Sequence, residues 1–227
     1  LAPFSYWYGT ADAVPQLWQG QKTPLWAYFD LNGVFLFLVV SLMAWETARW
    51  LKSIRVRQLI GHRALVTMIL IGLGWLAAVV LAMAVGGYGI ALVALPLIFW
   101  AALLFFRAGQ PREMRLLMAF TTLAIALTLV VDVIVWAGDI GRQNTVFKFY
   151  MQVWILLSVV GGVALAWLLR ASVWWRDSLR NGWMTMATVL FAIAAMYPLL
   201  ATQAKVTDRM APEAPRTLDG MAFMQYA

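Results

Sequence analysis

Long apolar runs separated by short polar intervals dominate the chain. Six stretches are apolar on all sides for about twenty residues, at 30–50, 64–84, 89–106, 114–137, 146–169 and 183–201. A bilayer core of about 30 Å needs roughly twenty such residues per helix. Within hydrocarbon every backbone N–H and C=O must be satisfied inside the segment, which selects helices. The runs lack the alternation that barrel strands require. Between the second and third runs stand Gly86, Gly87, Tyr88 and Gly89, a tight turn that makes those two helices antiparallel. Pro96 falls inside the third run and predicts a kink there. The pattern predicts an all-α polytopic membrane protein with six transmembrane helices.

Composition excludes the alternatives. Of 227 residues, 63% are hydrophobic and 12% charged, and the mean hydropathy is +0.79. A soluble domain runs nearer 25% charged, so too few charges remain to coat a water-facing surface. Cysteine is absent and histidine occurs once, at His62. Thiol chemistry is thereby excluded, a multi-histidine metal site is not expected, and no cofactor is called for.

The net charge of +7 would suggest nucleic acid in a soluble protein. Here the positions matter more than the sum. Arg49, Lys52, Arg55, Arg57, Arg63, Arg107, Arg112, Arg115, Arg170, Arg176 and Arg180 all fall in alternate connections, on one side of the membrane. Lys22, Arg142, Lys148, Lys205, Arg209 and Arg216 fall on the other. The richer side is the inner one, which places both termini outside and makes the basic excess a topological and headgroup signal. No nucleic-acid partner is expected; membrane lipid is. The chain begins at Leu1, and residues 1–29 hold Pro3, Pro15 and Pro24 among Trp and Tyr. An outer N-terminus of this kind implies further spans upstream. The expected organisation is an outer segment 1–29, a six-helix domain 30–201 and an outer tail 202–227 in a multi-pass protein of the plasma membrane.

Candidate chemistry gathers on the outer side. Ionisable residues inside a span are costly and direct attention to function. Asp132 lies near the outer end of the fourth run, followed by Asp139, Arg142 and Asn144, then Lys148 and Gln152 in the fifth. Asn144, Lys148 and Gln152 recur every four residues and form one helical stripe. Asp132 and Asp139, seven apart, share a face if the fourth helix extends that far. Arg supplies a bidentate fork for phosphate and Lys a point charge, so the cluster suits an anionic headgroup. It suits equally an internal pair between Lys148 and Asp132 or Asp139. Asp30, with Asn32 and Gly33, opens the first span on the same side, and Arg209, Arg216 and Asp219 follow in the tail.

Three stretches carry a resemblance: TPLWAYFDLNGVFLF at 23–37, GDIGRQNTVFKFYMQVWILLS at 138–158 and RTLDGMAFM at 216–224. Together they resemble the YYY membrane protein family of archaea and Chloroflexi, matching the C-terminal part of a member. That layout is similar to polytopic glycosyltransferases that use polyprenyl-phosphate sugar donors. The resemblance implies sugar transfer at the outer face, with Arg142 and Lys148 on the donor phosphate and Asn144 and Gln152 positioning it. The acceptor-activating carboxylate of such enzymes lies in the first external loop, upstream of Leu1; Asp132, Asp139 and Asp30 are the substitutes within the chain. Whether the chain is itself an enzyme stays open. The alternative is a structural or accessory subunit, packed against other membrane subunits, with the outer cluster as an internal ion-pair network.

Overall fold

The computed structural model describes residues 15–53, 63–136, 142–209, 217–219 and 221–225. They form six helices: α1 (Leu25–Ser53), α2 (Arg63–Val85), α3 (Ala91–Phe106), α4 (Arg112–Val133), α5 (Arg142–Ser172) and α6 (Asp177–Arg209). Two three-residue strands, β1 (Pro15–Leu17) and β2 (Ile134–Trp136), and a short 3-10 helix at Ala222–Gln225 complete the described structure. The chain divides into two compact units, Leu1–Trp174 and Trp175–Ala227; α6 and the 3-10 helix belong to the second.

Local sequence explains most boundaries. Pro24 precedes α1, where a missing N–H costs nothing, and its carbonyl accepts the Tyr28 N–H at 3.1 Å. Pro111 likewise precedes α4, with Glu113 in the first turn, where a negative charge complements the helix dipole. The α2–α3 turn uses Gly87 at φ +88°, and the α3–α4 connection uses Gly109 at φ +74°. Both are left-handed conformations that favour glycine.

In the first unit each helix presents one face to the others. On α1 that face is Tyr28, Asn32, Leu36, Val39, Leu42, Met43 and Glu46; on α4 it is Leu117, Thr121, Ala124, Ile125, Thr128 and Asp132. On α5, Tyr150, Val153, Leu157, Gly161, Ala164 and Leu168 are buried. The helix α4 packs against α3 and α5, α1 against α5 and α3, and α2 against α3. In lipid such faces are held by close van der Waals fit more than by hydrophobic transfer. Gly161 shows this: a Cβ there would lie 3.4 Å from Phe35 and Leu38 of α1. Outward faces carry Leu70, Leu73, Trp75, Leu81, Phe106, Trp154 and Ile155, as a hydrocarbon solvent requires.

Several sequence expectations shift. Among the described residues four helices are long and apolar enough to cross a membrane, α1, α4, α5 and α6 over Asp177–Asp208, and two shorter apolar stretches are Leu70–Val85 within α2 and Ala91–Phe106, which is α3. The helix α3, at 16 residues and 1.5 Å per residue, is only about 24 Å long. The helix α1 starts at Leu25, five residues before the expected Asp30, because Pro24 opens it. The helix α4 stops at Val133, short of the expected 137, because Ile134–Trp136 turns extended and pairs antiparallel with β1: Pro15 faces Trp136, Gln16 faces Val135 and Leu17 faces Ile134. No strand was expected in an all-helical reading. Three apolar residues are consistent with either state until the pairing partner is known.

Candidate functional site

The sequence draws Asp132, Arg142 and the segment before α1 toward one end of the first unit. Asp132 sits in the last turn of α4 and is 0% exposed. Its Oδ1 accepts the Thr23 hydroxyl at 2.6 Å, and both carboxylate oxygens accept the Thr23 N–H, at 3.2 and 3.1 Å. The Arg142 Nη2 closes an ion pair with Oδ1. A buried carboxylate needs such partners, since leaving it bare costs several kcal/mol.

Arg142, the first residue of α5, is committed to the protein on every side. Its Nε donates to the Val131 carbonyl at 3.3 Å, Nη1 to the Gln21 carbonyl at 2.9 Å, and Nη2 to the Thr23 hydroxyl at 3.1 Å. The guanidinium carbon stands 5.3 Å from the centre of the Trp18 ring. Lys22 is engaged in the same way: Nζ donates to the Trp18 and Asp132 carbonyls and lies 4.4 Å over the Tyr88 ring, a cation–π contact. Arg142 thus pairs with the carboxylate, while Lys22 bonds to the main-chain carbonyl of the same residue. Beside them Trp18 N–H donates to the Val133 carbonyl at 2.9 Å, and Trp136 N–H to the Thr145 hydroxyl at 3.0 Å. The cluster fastens the segment before α1, the α2–α3 turn, the end of α4 and the start of α5.

One turn deeper, the Thr128 hydroxyl donates to the Tyr28 hydroxyl at 3.3 Å and Asn32 Nδ2 to the Tyr28 carbonyl at 3.1 Å. The Asn32 Oδ1 is buried without a hydrogen-bond partner, and the Tyr150 hydroxyl stands beside Asn32.

Of the residues singled out by sequence, the structure unites Asp132 with Arg142. It does not pair Asp132 with Lys148. Asn144 is half-buried, while Lys148 and Gln152 are exposed on α5, and Asp30 is exposed on α1. Asp139 and His62 lie outside the described residues. Since α4 ends at Val133, the helical face proposed for Asp132 and Asp139 does not form. Sequence reasoning missed Thr23, Trp18 and Tyr88, and counted Lys22 only as a topological charge. The Thr-Pro step before an apolar run was the available signal, because it places a hydroxyl and an N–H just ahead of a helix.

The opposite end holds a second cluster that sequence reasoning also missed. Glu46 of α1 is 3% exposed and binds Arg107 at 2.6 Å and Arg49 at 3.2 Å. Trp100 Nε1 donates to the Thr47 hydroxyl at 2.9 Å. Among the described residues no three His, Asp or Glu side chains converge on a point that would hold a metal ion.

Comparison with known proteins adds one finding. No curated protein matches the chain, and no solved structure matches it. Residues 1–157 match the family described as Uncharacterized membrane protein (DUF2298). That match spans more than half of the chain and agrees with the apolar helices above: the chain is an integral membrane protein and belongs to this family.

Proposed function

We propose that this chain is a structural or accessory module of a larger membrane assembly, and that its outer polar cluster is an internal lock. The observation that carries the reading is the Asp132 carboxylate, fully buried and committed to Thr23 and Arg142. Arg142 in turn places every donating nitrogen with a bond above on protein oxygens, so a donor phosphate would have to displace internal partners. The lock stands at the outer face in a plasma-membrane protein of six spans, as the charge distribution implies. On this reading the exposed apolar helix faces meet lipid and other membrane subunits. The test is to compare Arg142→Gln with the parent chain in lipid nanodiscs. Lower thermal stability with unchanged retention of polyprenyl phosphate supports the lock, as does co-purification with partner subunits in fixed stoichiometry. Unchanged stability with lost retention overturns it.

A second reading is favoured by Lys148 and Gln152, which are exposed one turn apart near the mouth of α5. Lys148 makes no ion pair among the described residues. These two side chains can meet the phosphate of a polyprenyl-phosphate sugar at the outer leaflet, as the resemblance to glycosyltransferases implies, with Asp30 as the exposed candidate carboxylate on α1. Asn32 of α1 meets Tyr150 of α5, and Phe35 and Leu38 face Gly161 further along both helices, so the two helices run in the same direction, and Asp30 and Lys148 each stand two residues before the first of these contacts. Lys148→Ala together with Gln152→Ala then lowers polyprenyl-phosphate retention without lowering stability. Equal retention in the double variant removes this reading.

A further inference from the structure

We infer that Pro15–Thr23 is a releasable strap across the Arg142 end of the first unit, latched by the Asp132 carboxylate. The inference rests on reading the outer cluster as a lock and asks how that lock opens.

The strap itself is slight. Its ladder with β2 is three residues long, and Pro15, Gln16 and Leu17 are all exposed. A two-stranded ribbon of that length is not stable on its own. Beyond the ladder, its attachments converge on the end of α4 and on Arg142. Thr23 binds the Asp132 carboxylate through both N–H and hydroxyl, Lys22 binds the Asp132 carbonyl, and Arg142 reaches the Gln21 carbonyl and the Thr23 hydroxyl. Asp132 is the only carboxylate in this set. Without its charge Arg142 loses its anionic partner, and the strap loses its two hydrogen bonds to an ionised acceptor, which are the strong kind.

The chain contains no cysteine, so a pair can be introduced cleanly. Gln16→Cys with Val135→Cys places two thiols across facing positions, within reach of a disulfide. In the full chain in lipid nanodiscs, oxidant closes this disulfide readily. With Asp132→Asn added, closure slows by about tenfold or more, the effect of losing one charge-assisted hydrogen bond. Equal closure rates with and without Asp132→Asn overturn the proposal. Should Asp132→Asn fail to insert, amide exchange of the unaltered chain decides. The Trp18 and Thr23 amides then exchange together and at least about tenfold faster than those of Ile125 and Thr128 in α4, the signature of a separate local opening. Exchange of all four at one rate overturns the strap while leaving a purely structural lock intact.

Discussion

Replacing Asp132 removes the only anion paired with Arg142 among the described residues. Breaking a buried pair by deleting one partner costs about 3–5 kcal/mol, because the other charge is left uncompensated. Asp132→Ala is therefore expected to lower the stability of the detergent-solubilised chain by about that much. Asp132→Asn keeps an oxygen for the Thr23 hydroxyl but turns an amide N–H toward the Thr23 N–H, so it is expected to cost less, about 2 kcal/mol. Denaturant unfolding followed by tryptophan fluorescence ranks the two. The reverse order would show that shape matters here and charge does not. The sequence made Asp132 and Arg142 conspicuous, since an ionisable group beside an apolar run is expensive wherever it sits. It could not show that they satisfy each other. Their pairing depends on α4 ending at Val133, and that end follows from a strand partner 117 to 121 positions upstream.

At the scale of the helix, small residues decide how near two axes come. Gly161 and Gly162 are adjacent in sequence and opposite in environment. The first faces Phe35 and Leu38 at 3.4 Å from where a Cβ would stand, and the second has nothing within 4 Å. Gly161→Val is expected to force α1 and α5 apart and to destabilise by about 1–3 kcal/mol, the usual range for overpacking. Gly162→Val is expected to be neutral within about 0.5 kcal/mol, as is usual for exposed positions. Equal effects of the two would refute the α1–α5 contact. The apolar runs revealed these helices because lipid demands about twenty uncharged residues in a row, and that demand is visible in any window. Which face turns inward is not visible, because a helix apolar on all sides carries no stripe to read. The existence of all six helices was therefore legible, whereas their contacts and their last turns were not.

The two polar clusters tie opposite ends of the first unit, and together they fix how its helices alternate. Lys22 lies over Tyr88 in the α2–α3 turn and bonds to the end of α4, so those connections share one end. Glu46 and Thr47, late in α1, bind Arg107, just past the end of α3, and Trp100 within it, so the α3–α4 connection lies at the other. The Glu46 cluster is expected to be unequal in its parts. Glu46→Ala exposes Arg107 to an unpaired, largely buried state and is expected to cost about 3 kcal/mol. Arg49→Ala removes a 59% exposed partner and is expected to cost under about 1 kcal/mol. Comparable losses in both would mean that Arg107 is not the principal partner.

Alternation of this kind has a consequence for the membrane that single residues can report. Val85 ends α2 beside the turn at the Arg142 end and is exposed, and Ala108 is exposed in the connection near Glu46. If hydrocarbon fills the space between the two clusters, these positions lie on opposite sides of it. The basic residues Lys52, Arg112 and Arg115 accompany the Ala108 side, and the proposed orientation turns such a side to the cytoplasm. Because the chain has no cysteine of its own, Val85→Cys and Ala108→Cys each give a single reporter. A membrane-impermeant maleimide is expected to label Val85→Cys in intact cells and Ala108→Cys only after lysis. Labelling of Ala108→Cys alone in intact cells would invert the orientation while preserving the alternation. Labelling of both would mean that no bilayer separates the Asp132 and Glu46 clusters, and the placement of a membrane across α1 to α5 would have to be abandoned.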